Sequence, residues 1–255
     1  MEDAGYPEID KKACVQCAVL IAASGKFCPA CGARQNPVTL SIENRWVLLK
    51  QAAIFYSIHI ILCAVSKFVS FFHTLMWDLV TLVALWVTSV VFFTDKWTEN
   101  KKLFNWRSFS WSKLAAYLAI AMTGALLVHY SVGWLNVTLF SKDEDYYFFT
   151  GNRVLNAVIV IFFTAVTPAI FEEIGFRGYL LNTLLKVADA PQAIYISAFL
   201  FAIIHLSFIS LFWLIPFAIF QGYMRLKEDT LWYGIFFHFA FNLTGCIFEL
   251  FQYPN

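Results

Sequence analysis

The sequence predicts an all-α polytopic membrane protein of about seven transmembrane helices, preceded by a small cysteine-rich domain. Three observations predict it. Of the 255 residues, 60% are hydrophobic and only 14% are charged, whereas a soluble domain carries about a quarter charged residues. A soluble fold so composed has too few charges to cover its outside. Apolar runs close to the roughly 20 residues needed to cross a bilayer recur along most of the chain. The first forty residues break that pattern and hold four of the six cysteines. The net charge of +1 gives no electrostatic footprint for nucleic acid, so no nucleic-acid partner is expected. Disorder, collagen and coiled coil are excluded by composition. No charged stretch followed by an apolar one opens the chain, so no signal peptide is expected.

Taken in order, the first element is Cys14-Val-Gln-Cys17, ten residues, then Cys28-Pro-Ala-Cys31-Gly32. Two Cys-x-x-Cys pairs bring four thiolates within tetrahedral reach of one soft divalent ion. Pro29 stiffens the second turn and Gly32 relaxes the backbone just beyond it. The pattern resembles a short zinc ribbon, with Cys14, Cys17, Cys28 and Cys31 as ligands of a structural zinc. The competing readings are two disulfides, which require an oxidising compartment, and a redox Cys-x-x-Cys, which requires one pair. Zinc supplies folding energy that so small a piece cannot draw from a core. Reduced thiolates also place the N-terminus in the cytosol, where the ribbon is free to bind a partner protein.

Seven candidate spans follow, at residues 46–66, 72–93, 114–135, 153–171 with a continuation, 193–208, 209–223 and 231–251. The fifth and sixth read as short and closely joined, with Pro216 in the sixth, and are expected to be tilted or half-buried. The chain divides into a ribbon (1–40), N-terminal spans with an interfacial loop (45–149) and a C-terminal core (150–252). Lys96, Lys101, Lys102, Arg107 and Lys113 follow the second span, and Asp143, Glu144 and Asp145 follow the third. By the positive-inside rule this asymmetry again places the N-terminus in the cytosol and the loop 136–152 outside. Lys67, Lys142 and Arg153 are exceptions. The aromatic run Trp97, Phe104, Trp106, Phe109, Trp111 reads as a segment lying at headgroup level or as an ordinary aromatic belt.

Ionisable residues inside spans are expensive and point to function. Asp78 stands alone and is given no role; His59 and His129 read as satisfied core histidines. Residues 168–178 differ: Pro-Ala-Ile-Phe-Glu-Glu-Ile-Gly-Phe-Arg-Gly. On a helix Glu172 and Glu173 diverge by about 100°, while Glu173 and Arg177 share a face in the favourable order. Glu173 and Arg177 therefore neutralise each other as structural support, and Glu172 is left as a carboxylate able to act as a base. Phe201-x-x-x-His205 and His238-x-x-x-Asn242 add polar groups to two further apolar helices, where the cheapest partners are one another.

Together and in this order, the three motifs resemble those of the type II CAAX prenyl endopeptidase and bacteriocin-processing family of intramembrane proteases, over about residues 150–250. The resemblance implies endoproteolysis of a protein or peptide substrate at the lipid bilayer, in a site open to the cytosol. It implies Glu172 as the base that activates water, His205 as the group that holds and polarises it, and His238 with Asn242 as oxyanion donors. A metal-assisted version has Glu172, His205 and His238 holding zinc; without His-Glu-x-x-His, no ligand pair is pre-arranged on one helix, and the metal-free version is preferred. The readings outside catalysis are a membrane scaffold or immunity protein with a ribbon that recruits a partner, and a transporter, which no matched pair of broken helices supports. One strain remains: if the fourth span ends at Phe171, Glu172 and His205 lie at different depths. A longer fourth helix running toward Lys186, kinked near Pro168, resolves it.

Overall fold

The computed structural model describes residues 11–23, 25, 27–32, 35, 41–106, 109–135 and 153–252. The acidic loop 136–152 and Arg107 lie outside them. Strands β1 (Lys11–Ala13) and β2 (Leu20–Ala22) pair antiparallel with Lys12 opposite Ile21. Seven helical rods follow among the described residues: α1 (Ile42–Phe68), α2 (Leu75–Asp95), α3 (Trp111–Leu135), α4 (residues 153–184), α5 (Ala190–Ile203), α6 (Phe208–Glu228) and α7 (Trp232–Gln252). Five are long and apolar enough to cross a membrane; α5 and the apolar part of α7, Trp232–Phe248, are shorter.

Local chemistry sets the boundaries. Ser41 accepts from the Asn44 N–H, Thr74 from Trp77, and Asp189 from Gln192, satisfying amides that helix starts leave orphaned. Along α1 to α3, residues such as Ile61, Val83, Val87 and Leu127 remain exposed, the pattern of lipid-facing helices. The sixth span is longer than expected, at 21 residues. Its polar end stays helical because Arg225 donates to Asn182 and Glu228 accepts from Lys113 and Tyr117.

The fourth helix continues past Phe171 to Leu184, close to the expected continuation toward Lys186, and is not uniform. Phe162–Val166 and Glu173–Leu180 are π-helical, on either side of Thr167–Glu172. Wide turns flanking Pro168 accommodate a residue that lacks an N–H and clashes with the preceding turn. The second wide turn packs tightly on α1 and α2: a Cβ on Gly175 would lie 2.6 Å from Ser89 Oγ and 3.1 Å from Phe55 Cζ.

The ends of the bundle differ. At one end the connections α2–α3, α4–α5 and α6–α7 meet. Asn182 donates to Asn100 at 2.8 Å, and the Leu231 N–H donates to the Leu103 carbonyl at 2.9 Å. Part of the aromatic run docks here: Trp106 stacks on Trp232 at 5.8 Å, and the Trp232 indole donates to the Phe104 carbonyl. The ribbon sits at this end too, with Gly32 (φ +74°) so close to Pro191 at the start of α5 that a Cβ would lie 2.4 Å from its ring. At the opposite end the α1–α2 turn meets the α5–α6 turn, where Lys67 donates to the Leu206 carbonyl at 2.7 Å.

Candidate active site and N-terminal metal centre

The four cysteines of the N-terminal pairs converge. Cys14 and Cys31 Sγ atoms are 3.6 Å apart, as are those of Cys17 and Cys28, and all four lie within 4.8 Å of one another. That is far beyond a disulfide bond of about 2.05 Å and close to the roughly 3.8 Å edge of a tetrahedron with 2.3 Å metal–sulfur bonds. The donor set therefore fits one ion. The Cys14 sulfur accepts from the backbone amides of Gln16 and Cys17 and from the Gln35 side chain. The Cys17 amide is the main cause that pulls the Cys14 thiol down to about 6, toward the thiolate a metal needs.

Within the bundle the two adjacent glutamates part as their helix angle requires. Glu173 is 1% exposed. Its Oε1 lies 3.1 Å from Arg177 Nη1, 3.0 Å from His238 Nδ1 and 3.2 Å from Gln221 Nε2. Glu172 instead keeps 29% of its side chain exposed and lies 3.9 Å from His238 Nε2 through its Oε2. His238 on α7 thus stands between both carboxylates of α4. Its Nδ1 donates to Glu173, as a hydrogen bond to a carboxylate requires, which turns Nε2 toward Glu172.

Phe201 links two motifs. The Arg177 guanidinium stands over its ring at 4.2 Å, a cation–π contact that helps to compensate a buried charge. The Phe201 carbonyl accepts from His205 Nδ1 at 2.9 Å, so His205 presents Nε2 as its remaining ring nitrogen. Glu172 and His205 line one cavity of about 680 Å³ with His59, Cys63, Lys67 and Asp78, a volume in the range of ligand sites.

Asn242 is placed differently. It lies one turn beyond His238, and its Nδ2 donates to the Thr164 carbonyl at 3.0 Å. Thr164 is four residues before Pro168, so its carbonyl is the one Pro168 deprives of a helical donor. Gln221, which ties α6 to Glu173 and donates to the Gly234 carbonyl, escaped the sequence reading; the signal was an uncharged polar residue in an apolar span. His59 is satisfied, with Nδ1 donating to the Phe55 carbonyl and Nε2 beside Ser89 Oγ, yet it also walls the cavity.

Ribbon and cavity wall lie toward different ends of the bundle. The exposed residues of the cavity wall, Lys67, His73 and Asp78, belong to the α1–α2 turn and its flanks, at the end of the bundle opposite the ribbon. The reason is directional: α5 begins beneath the ribbon, and His205 follows its far end.

Residues 154–244 match the family model described as type II CAAX prenyl endopeptidase Rce1-like. The match covers just over a third of the chain, contains all three motifs, and lies on α4 to α7. No curated protein and no solved structure matched the chain.

Proposed function

We propose that the protein is an intramembrane endopeptidase that hydrolyses a peptide bond of a protein or peptide substrate. One observation carries the reading: within the Rce1-like segment, Glu172 and His205 line the cavity while His238 is held beside Glu172 by a buried, multiply bonded Glu173. A water in the cavity attacks the scissile carbonyl carbon as Glu172 takes its proton, and His205 Nε2 orients that water. The tetrahedral oxyanion accepts hydrogen bonds from His238 Nε2 and from the second hydrogen of Asn242 Nδ2. With Nδ1 committed to Glu173, His238 fills this role with a proton on each ring nitrogen. Collapse breaks the C–N bond, and Glu172 returns its proton to the leaving amine, giving a carboxylic acid and an amine, which exchange a proton to become carboxylate and ammonium. Glu173 and Arg177 are positioning residues, as is Gln221.

The ribbon is proposed to hold one zinc on Cys14, Cys17, Cys28 and Cys31, and to offer a cytosolic partner the exposed Val15, Val19 and Leu20. The catalytic step is proposed to need no metal. Metal analysis of the full chain is expected to give one zinc, lost when Cys14→Ser is combined with Cys31→Ser. A zinc that survives that double change, and leaves with His238→Ala, establishes the metal-assisted version instead.

The test of catalysis compares the N-terminal peptides of cells with the protein, without it, and with Glu172→Gln. New termini that depend on the protein and vanish in Glu172→Gln, and nearly so in His205→Ala, support the proposal. The same termini in Glu172→Gln overturn it.

A further inference from the structure

The two ends of the bundle carry different chemistry, and the cavity reaches only one of them. From Glu172 and His205 it passes His59 and Cys63 to Ser66, Lys67, His73 and Asp78, at the end of α1 and the start of α2. Toward the ribbon, the site is closed. Every residue of Glu173–Leu180 is buried, and Phe55, Phe176 and Tyr179 pack ring against ring with 0%, 0% and 1% exposure. The 14 residues of α5 put about 20 Å between Pro191 under the ribbon and the turn that carries His205. Ribbon and mouth therefore lie on opposite sides of any bilayer the helices cross.

Charge then orients the pair. The ribbon end carries Lys96, Lys101, Lys102, Lys113, Lys186 and Lys227, on α2 to α6 and their connections. At the mouth end the described lysines and arginines are Lys67 and, at the start of α4, Arg153. The positive-inside asymmetry puts the ribbon end in the cytosol.

We infer that the catalytic cavity opens on the membrane face opposite the zinc ribbon, the non-cytosolic face. Its substrates are therefore polypeptides whose scissile segment reaches it from that face, such as translocated or membrane-inserted peptides, and not cytosolic tails. This reverses the side implied by the resemblance. The statement about substrates rests on the proteolytic reading; the statement about the opening does not.

Thiol accessibility in the full chain tests it, since Cys63 is a native reporter on the cavity wall. Ser70→Cys marks the exposed α1–α2 turn and Ser112→Cys the exposed start of α3 at the ribbon end. Intact cells are treated with a membrane-impermeant maleimide and the labelled peptides are identified by mass spectrometry. Labelling of Cys63 and of Ser70→Cys, with Ser112→Cys labelled only after permeabilisation, is expected. Three results overturn the inference: Cys63 labelled only from the side that labels Ser112→Cys, Cys63 unreactive from both sides, or Ser112→Cys labelled in intact cells while Ser70→Cys is protected. Activity plays no part in this readout. Retained cleavage by Glu172→Gln alongside the expected labelling would sink the proteolytic reading and leave the sidedness standing.

Discussion

Helices α2 and α4 lie against each other, and both are long and apolar, yet their insides differ. In α2 only Ser89 and Phe93 are buried. In α4 eight consecutive residues, Glu173–Leu180, are buried, and they include a carboxylate and a guanidinium. The difference follows from surroundings. Lipid accepts apolar side chains as readily as protein does, so α2 can expose Val83, Val87 and Val91 without penalty. Helix α4 is enclosed by protein, and its buried charges are offset by the Glu173–Arg177 ion pair at 3.1 Å and by the Phe201 ring beneath the guanidinium. In a chain this apolar, hydrophobicity does not separate core from lipid; buried polar residues and their partners do.

The contrast can be broken from either side. The largest effect is expected at the buried pair. Glu173→Gln leaves Arg177 uncompensated and loosens His238 and Gln221, at a cost of about 3–5 kcal/mol, read as a fall in thermal unfolding temperature in detergent. A smaller loss is expected for Asn242→Ala. Removing the donor to the Thr164 carbonyl costs about 1–3 kcal/mol, and as an oxyanion donor its loss lowers the rate by about 10²–10³. A stability loss with an unchanged rate reduces Asn242 to a cap for Pro168. The smallest effect is expected on the lipid face: Val87→Ala in α2 changes stability by less than about 0.5 kcal/mol, and a larger loss would place protein where lipid is assigned.

Much of this was legible in sequence for physical reasons. Seven apolar runs, the double Cys-x-x-Cys and the i, i+4 spacing of Glu173 and Arg177 are local patterns, and local patterns survive folding. What escaped depends on neighbours distant in sequence. Gln221 gains meaning only when α6 brings it to Glu173, 48 residues away. Asn242 meets the carbonyl freed by Pro168 only when α7 crosses α4. The π-helical turns sit on both sides of a proline that sequence reading treated as a simple kink. The side on which the cavity opens follows from where α1, α2 and α5 end relative to the ribbon, which no motif encodes.

The central claim is that two adjacent glutamates divide the work: Glu173 holds the architecture and Glu172 does the chemistry. Its most direct test measures thermal unfolding and peptide-bond cleavage on purified Glu172→Gln and Glu173→Gln side by side. The account predicts that Glu172→Gln unfolds like the parent and is inactive, while Glu173→Gln unfolds at markedly lower temperature. A destabilised but active Glu172→Gln beside a stable, inactive Glu173→Gln would contradict it.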